Sequence, residues 1–572
     1  MAKKENELLY LQLPIPSGRK YYKMTKREWS GLNYRQTVDT GALSKEVNIS
    51  TDEAPYLTPS PKWEKFMDRY ENPISLFGFS DFLIIIYRYG DTLNVDYITK
   101  DKKTYTGVIK ASGATEDDEY QRSVVQFNVY KTVNDALSGE YDKKLLIFPD
   151  KLSMDFDISA DFELESMDAE VKEYKNDTGI KQSEYYGYEV KDGADDPLIY
   201  PPSDSANRSY YYKNTVHFAD TSQNELVWKY GEYEKEDGSV VNKWVVSVPP
   251  AVPNIKYAAV HQSRVFGVDD TRVYASGFNN YANWNLDTAG EYNESNAWAS
   301  ATQSNTKAGG DFTGITVFQN HVICFKKDFM HEIYNTKNPF RIQDIFSEGA
   351  VDQRTIQDVD GKLIFVSDDN VKIYTGSNPR IIGDVLGMDK FAYAVSGNDG
   401  RNYYLYCSDG LSKSKMFVYD TYTSAWSEQE ARFGALVVGF AHNDNGMYAI
   451  LAGFGIYKLD TNSFNQPWEF ETDLITNKTV DIKHVKKIQM LAHFGKDESD
   501  SANMKVYFLY DGEKFSKSSH LVYDGSGTGQ KVIRVKPRKT ASYGVKIHVG
   551  GTGYVRLYEM ELFMETGGDL YV

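Results

Sequence analysis

Two cysteines, Cys324 and Cys407, are all that a chain of 572 residues contains. That excludes a disulfide scaffold and a cysteine-ligated zinc site, and both lie in apolar, strand-like runs that suit buried thiols. Long apolar runs are missing too. The longest, Phe82–Tyr87, is strand-sized against the ~20 residues of a membrane helix, so no membrane segment is expected. The opening Met1–Glu7 is charged with no apolar stretch behind it, which reads as the absence of a secretory leader and implies synthesis in a cytoplasm. Positive charge is in deficit: 64 Lys and Arg face 81 Asp and Glu, a net charge of -17. Such a balance disfavours a non-specific grip on DNA, which needs cations on phosphates, but suits a wall along which DNA slides without sticking.

Aromatic residues are what the chain has in excess: 44 Tyr, 29 Phe and 8 Trp. They favour pleated, half-buried surfaces and interfaces, so the composition points to a β-rich, assembling protein. Helical periodicity is scarce, and short apolar runs are bounded by Gly, Asn, Asp and Ser. Val260–Gly267 and Thr271–Gly277 read as one hairpin, Gly314–Phe318 and His321–Phe325 as a second around Gln319–Asn320, and Lys362–Ser367 and Val371–Tyr374 as a third. Arg401–Tyr406 with Lys415–Asp420, and Gly446–Leu451 with Gly455–Asp460, make a fourth and fifth. The units recur roughly every 40 to 55 residues, the spacing of propeller blades, and several second strands carry an aromatic residue before a turn. A β-sandwich with long hairpins is the alternative.

The expected architecture is all-β: an extended N-terminal arm over 1–65, a β-propeller core over 66–465 and a C-terminal β-sandwich over 466–572. Within the propeller, about 153–248 breaks the pattern with an acidic, Tyr-rich insertion. Its Tyr185, Tyr186, Tyr188, Tyr200, Tyr210, Tyr211 and Tyr212 are candidates for docking a partner. Val248–Pro253 is a stiff return to the propeller.

No catalytic constellation stands out. Nine His are scattered, and His261, His321 and His331 fall on strands or hairpin edges without zinc-ligand spacing. Gly525–Gly529 resembles a phosphate-cradling string but lacks the Lys and following helix of a P-loop, and reads as a hairpin tip. Asn443–Gly446 resembles a calcium loop without its closing Glu, and reads as a turn. No metal, cofactor or catalytic residue is assigned.

Several stretches together resemble the tail-nozzle and packaged-DNA stabilisation proteins of tailed bacteriophages. The first is Trp29–Asn33, Gly41–Leu43 and Asn48–Leu57, with Gly31, Asn33, Asn48 and Pro55. The second is His261–Gly267, Arg272–Gly277 and Trp284, with Arg264, Arg272, Tyr274 and Ser276. Ser347–Val351, with Gly349, and Met504–Tyr507 through Gly567–Asp569 follow. Each motif is weak alone; their order along the chain makes the match, which spares only 153–248. The resemblance implies a non-enzymatic virion protein in a ring of copies, commonly six, below the portal and adaptor of a tail. Such a ring lines the channel, holds packaged DNA without reading its sequence and anchors fibres. Two other readings stand beside it: a receptor- or glycan-binding propeller, and a glycoside hydrolase whose paired carboxylates converge only in the fold.

Overall fold

The computed structural model describes residues 20–27, 29–35, 42–68, 70–90, 92–109, 121–130, 141–167, 252–284, 286, 296–300, 310–334, 337–346, 348–388, 390–410, 414–430, 435–478, 481–497, 500–511, 513, 515–538 and 541–566, with the backbone of six strands between 171 and 247. Among them the only helices are the 3-10 turns Gln353–Thr355 and Gly383–Leu386; everything else regular is antiparallel strand. The chain divides into two units, Met1–Phe82 with Arg354–Val572, and Leu83–Gln353.

The core is a β-propeller of four-stranded sheets, each a meander of consecutive strands. The first unit holds the sheets Gln357–Val359, Lys362–Val366, Val371–Tyr374, Arg380–Ile381, and Tyr393–Asn398, Asn402–Ser408, Ser414–Asp420, Ala425–Gln429. Its third sheet runs Val437–Asn443, Gly446–Leu451, Gly455–Asp460 and is completed by Lys62–Met67. The second unit holds Ser123–Val129, Asp142–Phe148, Leu152–Asp155, Glu165–Ser166; Tyr257–His261, Arg264–Val268, Val273–Ala275, Trp298–Ala299; and Phe312–Phe318, His321–Lys326, Met330–Tyr334, Arg341–Phe346. A further four-stranded sheet runs Pro73–Phe79, Phe82–Tyr89, Thr92–Thr99, Thr104–Ile109. Within each unit, blades pack through their first strands: Tyr393–Asn398 on Val437–Asn443 and Val437–Asn443 on Pro73–Phe79, for example, or Tyr257–His261 on Phe312–Phe318. Gly397 permits the first of these approaches, because a Cβ there would collide with Phe440.

Tyrosine ties the blades. Tyr406 donates its hydroxyl to the Ala435 carbonyl at 3.1 Å and Tyr393 to that of Val437 at 2.9 Å, both on the following blade, and Tyr403 reaches back to Thr355 at 3.0 Å. Tyr403, Tyr406 and Tyr448 are among the largest fully buried side chains. An apolar ring with one polar tip fills the gap between sheets and satisfies a carbonyl that would otherwise be buried unpaired. The aromatic excess read as a sign of assembly is used, at these positions, inside the subunit.

The hairpin readings at 314–325, 362–374, 401–420 and 446–460 coincide with paired strands. The run Val260–Gly267 does not form one strand. Gln262 and Ser263 both adopt positive φ, 48 and 56, and turn the chain between Tyr257–His261 and Arg264–Val268. The insertion begins later than 153, because Leu152–Asp155 and Glu165–Ser166 are the outer strands of a blade, short and acidic enough to miss as strands. Between 171 and 247 lie two three-stranded sheets, made of Val171–Lys175, Thr215–Ala219, Ser209–Tyr212, and Gly187–Lys191, Val240–Ser247, Val227–Glu234.

The C-terminal body is a sandwich of two sheets. One runs Lys20–Lys26, Val555–Thr566, Lys483–Phe494, Gly529–Val535; the other runs Leu43–Val47, Pro467–Thr472, Val545–Thr552, Ala502–Tyr510, Leu521–Gly527. Met24, Leu43, Phe470, Ile488, Met490, Phe508 and Ile547 share its core. The segment read as an extended arm is therefore built in: it supplies an outer strand to each sandwich sheet and the outer strand of a blade. Gly525–Gly529 is not a hairpin tip, since the strands it joins belong to different sheets; its glycines carry the chain across the sandwich.

Removing the hydroxyl in Tyr406→Phe leaves the Ala435 carbonyl without a partner and is expected to cost about 1–3 kcal/mol. Gly397→Ala forces two strands apart and is expected to cost more. Urea midpoints of both variants, measured against the parent, check this; parental midpoints in both would remove the inter-blade contact as a source of stability.

Candidate functional site

The motif residues of the N-terminal segment meet at the joint between the blade Tyr393–Gln429 and the sandwich. Gly31 has φ +76, and a Cβ there would stand 2.8 Å from both the Trp426 carbonyl oxygen and the Ala425 Cβ. Its carbonyl accepts the Leu43 N–H at 2.9 Å while Leu32 donates to Trp426 at 2.8 Å. Asn33 caps its own turn, Oδ1 accepting the Arg35 N–H at 3.0 Å. Asn48, at φ 55, takes part in four hydrogen bonds: Nδ2 to the Pro467 carbonyl and Oδ1 from the Glu430 N–H, both 2.8 Å, and main-chain bonds to Glu428 at 2.8 Å and from Ser60 at 2.9 Å. Positive φ with both ends of the amide in use is a demand that Asn meets best. Pro55 follows a cis peptide bond, and beyond it Leu57 pairs with Leu557 of the sandwich, while Glu53 accepts from Tyr554 at 2.8 Å and from Arg556.

The same joint holds buried charge. Glu46 is 0% exposed, and neither carboxylate oxygen has a hydrogen-bond partner among the described residues. Burial, with the charges of Asp52 and Glu428, holds its carboxyl well above the usual range, against the pull of Lys26. Burial pushes Lys26 down to about 8 while Asp473 and Glu46 oppose it, and its ammonium stands 4.6 Å from the Trp29 ring. Asp52 is pushed up to about 6 by burial, with Arg401 opposing. Asp420 lies below its usual value: burial works against it, but Arg401 binds it at 3.1 and 2.6 Å. Two carboxyls driven apart in this way have the pattern of an acid and base pair. Here Arg401 binds both residues, its Nη2 also donating to the Asp52 main-chain carbonyl at 2.9 Å. A cavity lined by Trp63, Glu430, Val437 and Tyr457 has about 20 Å³, room for a single water.

In the second unit the motif residues are equally architectural. Arg264, 3% exposed, donates to the carbonyls of Ser276 at 2.5 Å and Asn296 at 2.9 Å, with Phe278 and Phe340 over its guanidinium. The Ser276 hydroxyl accepts the Val265 N–H at 2.9 Å. Arg272 and Tyr274 converge on Asp269, which takes the Arg272 N–H at 2.6 Å and the Tyr274 hydroxyl at 2.8 Å; burial, then this bond, pushes the phenol up to about 12. Trp284 is buried beside Tyr281 and Ile255, and a Cβ on Gly349 would collide with the Lys326 carbonyl oxygen. In the sequence Val268–Asp270 reads as a turn, without the acceptor role that Asp269 plays in it. Its signal was present, because Asp399 binds the N–H groups of Arg401 and Asn402 and the hydroxyl of Tyr404 at the same offsets.

Tyr185, Tyr186 and Tyr200 lie outside the described residues; Tyr188 and Tyr210–Tyr212 lie on strands paired with Val240–Ser247 and Thr215–Ala219. Among the described residues no group of His, Cys, Asp or Glu is arranged to hold a metal, and both cysteines are buried, which pushes their thiols up. Asn443–Gly446 is a tight turn in which Oδ1 of Asn443 accepts the Asn445 N–H at 2.9 Å.

No family model and no curated protein matches the chain. Similar solved structures include a puromycin hydrolase mutant complexed with PGG, at 8% identity and TM-score 0.25 over 72% of this chain. The chain spans 61% of that enzyme's length. A Trypanosoma rangeli sialidase is similar at 10% identity and TM-score 0.20, over 94% of this chain and 96% of its own. A Bacillus subtilis family 43 arabinoxylan arabinofuranohydrolase is similar at 8% identity and TM-score 0.18, over 86% and 96%. Likenesses this distant carry no argument.

A second charged cluster sits on the sandwich. His548, its side chain 3% exposed, holds Nε2 3.1 Å from Glu469 and Nδ1 3.8 Å from Glu471, under the Phe515 ring. Burial opposes its charge, but the two carboxylates raise its pKa. His548 and Lys45 bring Glu469 down to about 2; Glu471 reaches about 2 through His548 and Lys546, against burial. The raised histidine stabilises the fold below its unfolded pKa of about 6.5 and loses that contribution as pH rises through the folded value. The lowered carboxylates stabilise above about 4.5 and lose theirs as pH falls toward 2. Thermal melts should therefore show highest stability between about pH 4.5 and 6.5, and His548→Gln should flatten the alkaline side. An unchanged alkaline slope in that variant would show that His548 does not titrate with folding.

Proposed function

We propose that the chain is a non-enzymatic structural protein of a phage tail, of the nozzle kind. It forms a ring of copies, commonly six, below the portal and adaptor, through which packaged DNA passes and on which fibres are anchored. The supporting observation is where the motif residues lie. Gly31, Asn33, Asn48, Arg264, Arg272, Tyr274, Ser276 and Gly349 each hold a turn or a junction of strands. A subunit whose distinctive residues brace one body against another suits a load-bearing part. Copies repeating one heterologous contact close into a ring when the rotation permits. The protein would be made in the host cytoplasm and kept in the virion tail, with portal, adaptor and fibre proteins as neighbours and no cofactor.

Quantitative mass spectrometry of purified particles tests this. A fixed ratio to the portal protein near about one to two is expected for a ring of six under a twelve-fold portal. Absence from particles, or sporadic traces, overturns the proposal and favours the glycan-binding and hydrolase readings.

A further inference from the structure

Acidic residues are spread through the chain, yet 482–496 and 525–558 contain none. These stretches supply the neighbouring sandwich strands Lys483–Phe494 and Gly529–Val535, paired so that Gln489 faces Arg534 and His493 faces Gln530. Ile488, Met490, Ala492, Ile533 and Val535 point into the core. The alternate positions, Lys487, Gln489, His493, Gln530, Arg534 and then Lys536, form the outer face, with Leu491 and Val532 between them. Lys487, Arg534 and Lys536 have no carboxylate partner among the described residues. The next strand carries Glu559, Glu561 and Glu565, which are already met by Arg27, Lys23 and Lys486. The face is therefore net positive in a chain of net charge -17.

Charge on an edge strand is a common device against sheet-to-sheet aggregation. It accounts for Arg534 on Gly529–Val535, which is an edge, and for Lys536 just after it. It does not account for Lys487 on an interior strand, nor for the complete absence of acids, because edge protection works with either sign.

We propose that this face grips the sugar-phosphate backbone of duplex DNA. Residues two apart on a strand are ~6.7 Å apart and neighbouring strands ~4.8 Å, so the three cations lie within reach of successive phosphates. The interspersed Gln489, His493 and Gln530 offer side-chain N–H groups whose hydrogen bonds phosphate oxygens accept, and Arg534 offers a planar fork. A protein partner would call instead for an aromatic anchor seated in a pocket. The apolar residues of these two strands on this face are Val532, 54% exposed, and the half-buried Leu491, and the one ring beside them, Phe563 on the next strand, lies under the Lys487 ammonium at 4.8 Å and so is covered rather than offered as an anchor. The grip is local, sequence-independent and salt-sensitive, set in a molecule that otherwise repels DNA. It stands on the charge arrangement alone, so it and the tail reading can fail separately.

The test is fluorescence anisotropy of the full chain with a labelled duplex of about 30 base pairs, titrated between about 50 and 200 mM salt. Binding with a dissociation constant of about 10⁻⁴–10⁻⁶ M and a steep salt dependence is expected. The triple variant Lys487→Gln, Arg534→Gln, Lys536→Gln should bind at least about tenfold more weakly and flatten the log–log salt slope by about 2.7, three contacts at 0.9 each, with an unchanged thermal melt. No binding at low salt, or equal binding by the triple variant, overturns the proposal. So does equal affinity for polyglutamate, which would assign the face to an acidic protein.

Discussion

The pairing of Lys62–Met67 with Gly455–Asp460 is the constraint on which the first unit depends. It joins the start of the chain to the last propeller sheet, and Ser463 hydrogen-bonds Glu64 across 399 residues. Closing so long a loop is entropically costly, although the cost grows only with the logarithm of its length. Burial of Trp63 offsets it: the indole packs against Tyr404 and Phe440 and donates to Gln429 at 2.8 Å. Once that strand is seated, the chain before it has nowhere to go but along the blade edge and into the sandwich. Asn48, Leu57 and the outer sandwich strands follow from that one attachment.

The strands that could be read from sequence are those whose turns obey ordinary chemistry. Gln319 and Asn320 both take positive φ, and a two-residue polar bridge between apolar runs announces such a turn. Gln262–Ser263 makes the same turn with residues that signal it poorly, so Val260–Gly267 looked continuous. The strand Lys483–Phe494 was missed because its outer positions are Lys, His and Gln while its inner ones include Ala492, giving a weak alternation. The fate of the N-terminal segment was illegible for a different reason. A strand completed by a partner some 400 residues away leaves no local mark, and only long-range pairing reveals it. Of the candidate site, the motif residues were found but their roles were not, since Asp269, Glu428 and Trp426, which they bind, lie outside the motifs.

Composition proved informative in sum and misleading in place. Tyrosine is abundant partly because each blade interface wants a broad apolar body and one donor for a stranded carbonyl, as at Tyr393, Tyr403 and Tyr406. Acidic residues outnumber bases, but several that decide local behaviour are paired with basic side chains: Asp420 with Arg401, Glu428 with Lys415 and Glu469 with His548. A total of -17 averages over such pairs and over the acid-free sandwich strands. A single net charge therefore describes no particular surface, and the face that presents Lys487, Arg534 and Lys536 carries the opposite sign to the whole.

The Asp clamp shows why the motifs are individually weak and collectively ordered. Asp269 serves the turn between the second and third strands of its blade, Asp399 the turn between the first and second of another, with the same three donors at the same offsets. What repeats is the solution to a tight turn with a tyrosine five residues after the Asp, on the next strand, not a position in the blade. Residues selected for such duties are chemically ordinary and occur in many proteins; only the order of the junctions they brace is particular to one architecture. Resemblance carried by joints accordingly reports how a chain is assembled. What the chain touches must be argued from surfaces that the architecture leaves free, and there the physical signal is an unpaired charge held on a rigid sheet.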